Sequence, residues 1–402
     1  MPSHRSASAV LRRTTAPLAL AAALALAGCA NTGAPGSGAA GAPGSGAAGA
    51  PGQLISQAPL DAAVSLPDAG QQMRILYSAT DGVTGQGTVP VSGAVFFPKT
   101  PQPPGGWPVV AWAHGTTGVG EACAPSANPR SPRDAAYLGA WLREGFVVVA
   151  TDYQGLGTPG PHPYLHTRSQ AYSVLDAVRA ALKMPGVANQ VILVGQSQGG
   201  GAAFGTAGLA AGYAPDVKVL GTVATGTPYL TPAAGEVRSD PDRVSPQIAY
   251  GMYAAVTAKL VQPSFDPATV FLPAAMPAFQ ASGETCVAPL FARLMREGRT
   301  ERNSYQPGGQ QRLFELVAPV TGYATLKLTQ PVLMGIGGKD VDVPTAMQQA
   351  LVRDACKAGS RIQAHVYADM DHSGTVNASL KDSLPFVRNL LAGKPVASTC
   401  GQ

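Results

Sequence analysis

From about Met73 onward, short apolar runs alternate with amphipathic stretches, and glycines and prolines punctuate the joins. Runs near 73–79 and 91–97, then PVVAWAH from Pro108, FVVVAT from Phe146, VILVG from Val191, VKVLGTVA from Val217, PVLMGIG from Pro331 and RIQAHVY from Arg361, predict eight strands. The third to seventh are apolar without alternation, as a strand must be when helices cover both of its faces. Helical spacing in RDAAYLGAWLREG from Arg133, SQAYSVLDAVRAALKM from Ser169 and PTAMQQALVRDAC from Pro344 supplies such covers. The pattern therefore predicts an α/β domain over 73–402 with a mostly parallel eight-stranded sheet.

One interval breaks the rhythm. Between the strand ending near Ala224 and the one starting at Pro331 lie roughly a hundred residues, far more than a strand-to-helix connection needs. Two helical patterns inside it, QIAYGMYAAVTAKL and APLFARLMREG, predict a helical cap inserted over about 226–330.

The first 72 residues read differently. Arg5, Arg12 and Arg13 precede an apolar run from Ala16 to Ala27, the layout of an export signal over 1–28 and too short to span a membrane. Leu26-Ala27-Gly28-Cys29 resembles a bacterial lipobox, which would make Cys29 a lipid-modified first residue and tether the chain to a membrane surface. Two copies of GAPGSGAA follow, so 29–72 is expected to be a Gly/Ala/Pro/Ser linker without a core. The formal charge of +5 owes much to those three arginines, and the balance gives no sign of a nucleic-acid partner. Hydrophobic residues at 45% against charged residues at 13% exclude a disordered chain.

Export changes the meaning of the cysteines. With Cys29 assigned to lipid, Cys123, Cys286, Cys356 and Cys400 remain, and four cysteines allow three pairings. Two disulfides are expected in an oxidising compartment, with Cys123 to Cys286 and Cys356 to Cys400 preferred because the last two bracket one C-terminal stretch.

Candidate chemistry centres on GQSQGG, residues 195–200. With 48 glycines in 402 residues, flanking glycines alone decide little, yet no other serine sits at the centre of Gly-x-Ser-x-Gly. Ser197 follows a strand and precedes a small-residue helix, the context of a nucleophile elbow. A serine hydroxyl needs a histidine to take its proton and a carboxylate to orient that histidine. His4 leaves with the signal, His365 lies within a strand, His162 and His166 sit in a proline-fixed loop, and His114 ends the third strand. His372 remains, on a loop after the eighth strand. Asp340, first off the seventh strand, is the preferred acid, with Asp342 as its rival. The order Ser197, Asp340, His372 suits an α/β-hydrolase. HGTTG at 114–118 would place the backbone N–H of Thr116 beside that of Gln198 as an oxyanion hole, unless it is only a tight turn. No His/Cys/Asp cluster has ligand spacing, so no metal or organic cofactor is implied.

HGTTG followed by CAPS, TDYQGLGTPGPHPYL running into AYSVLDAVRA, GQSQGG, the Asp340 segment ending in Pro344, and His372 together resemble the secretory lipase family of the α/β-hydrolases over roughly 73–400. The lipobox and repeat linker would make this a bacterial, lipoprotein-type form. The resemblance implies an α/β-hydrolase fold with a helical cap, a Ser-Asp-His triad acting on carboxylic esters, an ester or lipid substrate, and the same cysteine pairing. A serine peptidase or amidase on this fold, and a surface lipoprotein that only binds, are the rival readings.

Overall fold

The computed structural model describes residues 49–231 and 240–401. The export signal, Cys29 and the repeats before Gly49 lie outside the described residues. Among the described residues nine strands form one sheet: β1 (Leu54–Pro59), β2 (Ala69–Thr80), β3 (Thr88–Pro98), β4 (Trp107–Ala113), β5 (Val147–Thr151), β6 (Val187–Gln196), β7 (Val219–Thr225), β8 (Val332–Gly337) and β9 (Ile362–Tyr367). Their order is β1-β2-β3-β5-β4-β6-β7-β8-β9. The first three pairings are antiparallel, and every pairing from β5 to β9 is parallel.

The eight expected strands are present, and β1 is an addition. It lies within the 29–72 stretch that composition assigned to linker, as do the first residues of β2. Backbone pairing to β2 holds β1, and only Leu54 of its six residues is more than slightly buried, so it carries no apolar signature. The linker reading therefore fails from about residue 54 onward.

Apolar continuity in the central strands has a direct cause. Along β4, Val109, Ala111 and Ala113 point into one core cluster, while Val110 and Trp112 point into the opposite one. The same split divides Val191 and Leu193 from Ile192 and Val194 in β6. On one face pack α1 (Pro132–Arg143), through Leu138 and Trp141, and the last helix of the chain; on the other pack α2 (Thr167–Ala181) and α3 (Gln198–Tyr213), through Leu175 and Phe204.

The cap follows β7. Its helices are α4 (Ile248–Val261), α5 (Met276–Ser282), α6 (Val287–Arg296), α7 (Glu301–Ser304) and α8 (Gly309–Thr321). They enclose a third core containing Met252, Phe271, Leu290 and Leu294. After β8 and β9 come α9 (Thr345–Lys357), α10 (Gly374–Ala378) and α11 (Leu380–Leu391), the last placing Phe386 and Val387 on the α1 face. No helix among the described residues is long and apolar enough to cross a membrane.

Both preferred disulfides are present. Cys123–Cys286 joins the segment after β4 to the start of α6, across 163 residues. Cys356–Cys400 fastens α9 to the C-terminal segment, across 44 residues. The first bond is reinforced by the Val287 N–H, which donates to the Thr117 carbonyl at 2.8 Å, so the cap is stitched to the HGTTG loop. Closing so long a loop constrains the unfolded chain, and replacing both Cys123 and Cys286 with serine is expected to lower the unfolding free energy by about 2–4 kcal/mol in urea denaturation. An unchanged midpoint would show that this clamp contributes nothing.

Candidate active site

Five parallel strands, β4 and β6 to β9, end on one edge of the sheet, and the expected site residues sit just beyond those ends. Ser197 lies between β6 and α3 with φ 59 and ψ −123. A non-glycine residue there is strained by about 1–3 kcal/mol, so its surroundings must hold it. The Ser197 N–H donates to the Thr225 carbonyl at 2.9 Å, at the end of β7. On the other side, a Cβ built on Gly199 would lie 1.8 Å from the Ala113 carbonyl oxygen of β4, so only glycine admits this approach.

His372 stands in the turn between β9 and α10, and its Nδ1 lies 2.8 Å from Asp340 Oδ2. The Asp340 side chain is fully buried, and its oxygens also accept from the Asp342 N–H at 3.0 Å, the Val343 N–H at 2.9 Å and Gln348 Nε2 at 2.9 Å. Asp342 faces elsewhere: its Oδ1 accepts from Gln247 Nε2 at 3.3 Å and from Tyr250 Oη at 3.1 Å, at the start of the cap helix α4. Hydrogen bonding thus gives the two acids different partners. Asp340, Asp342 and His372 do offer ligand atoms within 4.8 Å of one another, but a metal there would have to displace the donors around Asp340.

Two neighbours of His372 escaped the sequence reading. Gln196 Nε2 donates to His372 Nε2 at 2.9 Å, and Gln196 Oε1 accepts from an Arg133 terminal nitrogen at 3.3 Å. An amide oriented by Arg133 presents its N–H to the ring, so Nε2 carries the lone pair and Nδ1 carries the proton. Gly226, the first residue after β7, has φ +57, and a Cβ there would lie 2.7 Å from His372 Cε1. Position in the motif could have flagged Gln196; nothing in the sequence flags Gly226.

Thr116 and Gln198 border the elbow. Thr116 Oγ1 lies 2.8 Å from Tyr164 Oη, and Gln198 opens α3, where the first N–H groups have no partner within the helix. Beneath Gln198 is His162, in the proline-fixed loop before α2. Gln198 Nε2 donates to His162 Nε2 at 2.9 Å, and His162 Nδ1 donates to the Gln154 carbonyl at 2.8 Å. Burial pushes the His162 pKa down to about 3. His166 caps α2, accepting the Ser169 N–H at 3.3 Å, and burial lowers its pKa to about 4. A cavity of 600 Å³ opens over Ser197 and His372, walled by Thr116, Arg130 and Tyr250.

Residues 132–240, from α1 past the elbow and β7, match the family model described as secretory lipase. Over this stretch the chain is similar to the secretory lipases. It is 27% identical over 310 residues to secreted triacylglycerol lipase LIP7 of Malassezia globosa, covering 69% of this chain and 63% of that protein. It is 26% identical over 273 residues to secreted triacylglycerol lipase LIP5 of Malassezia furfur, covering 63% of this chain and 68% of that protein. The chain thus spans just under two thirds of the length of LIP7. The fold is that of the α/β-hydrolases. Candida antarctica lipase A in its closed state superposes with a TM-score of 0.71 at 18% identity, over 88% of this chain and 85% of that one. The rice cell wall degrading esterase LipA from Xanthomonas oryzae superposes at 0.65 with 21% identity, over 86% of this chain and all of that one. The lipoprotein form expected from Cys29 finds no support in these relatives.

Neutral His162 and His166 set an acid limit on this secretory-lipase-like site. Their folded pKa values lie below the unfolded value of about 6.5, so the unfolded chain takes up protons first as pH falls. Their stabilisation is full above about 6.5 and declines as pH falls, to about pH 4 for His166 and about pH 3 for His162, by up to about 1.4 kcal/mol per pH unit for each histidine. Urea denaturation of wild type at stepped pH should show that slope, and His162→Asn should flatten it; identical slopes would contradict the burial argument.

Proposed function

We propose that this chain is an exported serine hydrolase of carboxylic esters, with Ser197 as nucleophile, His372 as general base and acid, and Asp340 as the acid that orients it. The observation that carries the reading is the shared cavity of an elbow serine at φ 59 and a histidine whose Nδ1 is 2.8 Å from a buried carboxylate. The secretory lipase match and the names of the relatives support an acyl ester, lipid or smaller, as substrate.

The reaction runs in two halves. His372 Nε2 leaves the Gln196 amide and takes the Ser197 Oγ proton as Oγ bonds to the acyl carbon. The carbonyl oxygen becomes an anion held by the Thr116 and Gln198 N–H groups. Imidazolium then gives its proton to the alcohol oxygen as the ester bond breaks, leaving an acyl-serine. Water attacks that acyl carbon, His372 takes its proton and returns it to Ser197 Oγ, and the acid departs. Asp340 keeps the imidazole in the Nδ1–H tautomer and offsets its positive charge between transfers. The cap supplies an apolar roof for an acyl or alcohol chain. Export through the signal at 1–28, with Cys29 lipidated and holding the protein at the cell envelope, completes the reading.

Ser197→Ala and His372→Ala should each lower kcat on p-nitrophenyl butyrate by about 10³-fold or more. Asp340→Asn should cost at least about 10²-fold, while Asp342→Asn, which loosens the cap contact, should act mainly on KM. Wild-type rates retained in Ser197→Ala, or a larger loss from Asp342→Asn than from Asp340→Asn, would overturn the assignment.

A further inference from the structure

The cavity over Ser197 contains a cation that no acid among the described residues pairs with directly. Arg130, in the segment leading into α1, makes no ion pair or hydrogen bond to any described residue, and its Nε is buried without a partner. Its guanidinium lies over the buried Phe96 ring, 5.1 Å from the centroid. The nearby carboxylates are already engaged. Asp134 pairs with Arg133 at 2.8 Å, and Asp152 accepts the Ser126 N–H at 2.8 Å and the Ser92 hydroxyl at 2.6 Å, with the Ser126 hydroxyl as a third donor. Burial disfavours the charged form of Arg130, and the fields of Asp152 and Asp134 offset this only in part. A guanidinium stays protonated regardless, so a positive charge with no direct ion pair and only partial compensation from Asp152 and Asp134 lines the cavity.

Such a group is costly to leave unmatched in a partly desolvated pocket, and a planar oxyanion satisfies it best, through two parallel N–H to oxygen bonds. We infer that Arg130 forms an anion subsite beside Ser197, and that the ester hydrolysed carries a carboxylate on its acyl or alcohol part. This rests on the ester hydrolase reading and narrows it from esters in general to acidic esters. Arg133 lines the same cavity but is committed to Asp134 and Gln196, which leaves Arg130 as the specificity residue.

Two matched pairs of substrates test it on the full chain at low ionic strength. On the acyl side, the p-nitrophenyl monoester of glutaric acid is compared with p-nitrophenyl valerate; on the alcohol side, 4-carboxyphenyl valerate is compared with 4-carbamoylphenyl valerate. In wild type, kcat/KM for the anionic member should exceed that for the neutral one by roughly 10-fold or more in one pair, and the ratio should shrink with added salt. Arg130→Gln should bring that ratio to one or below, and Arg130→Lys should leave an intermediate value, with thermal unfolding confirming that each variant folds. Neutral esters hydrolysed with a wild-type ratio of one or less in both pairs would overturn the subsite and leave the hydrolase standing. So would a high ratio that survives Arg130→Gln. No turnover of any of the four esters by folded wild type would overturn the hydrolase reading and this inference with it.

Discussion

The backbone of Ser197 is held where a serine would not rest by itself, and the arrangement of the site follows from what holds it. Strand β6 is central, with β4 and β7 as its parallel neighbours, and both press on the turn that ends it. From β7 the Thr225 carbonyl takes the Ser197 N–H, and from β4 the Ala113 carbonyl closes on Gly199. Strain of about 1–3 kcal/mol is tolerable because the neighbouring strands over-determine the turn. The same parallel register carries the ends of β8 and β9 to the same edge, so Asp340 and His372 arrive beside the serine from later in the chain.

Around that turn, buried polar groups are either kept neutral or surrounded by hydrogen-bond donors. His162 and His166 are kept neutral, Asp152 collects three donors, and Asp340 collects four including His372. Arg130 is the exception, and an exception facing the reaction cavity is where a ligand group is expected. The cap has its own core yet is fixed to this edge by the Cys123–Cys286 bond, by the Val287 N–H to the Thr117 carbonyl, and by the contacts of Gln247 and Tyr250 with Asp342. Cap and acid loop therefore act on each other.

Doubly covered strands were legible because burial on both faces demands unbroken apolar runs, as in VILVG and PVVAWAH. Strand β1 was not, because an exposed edge strand held by backbone bonds needs no such run. At the site, Ser197, Asp340 and His372 were legible from residue type, motif and address after successive strands. Gln196, Arg130, His162 and Gly226 were not, because their importance lies in what stands across from them in space. Sequence favours Asp340 over Asp342 only by its place first off the strand, and their partners separate them, a histidine for one and a cap tyrosine for the other.

The central claim is that Ser197 is the group that attacks. It is tested most directly by treating the full chain with a fluorophosphonate and mapping the adduct by peptide mass spectrometry. The mechanism requires one phosphonylated site, on the peptide containing Ser197, with hydrolysis lost in proportion to labelling. An enzyme that hydrolyses esters yet stays unlabelled at Ser197, or is labelled and inactivated at another residue, would contradict it.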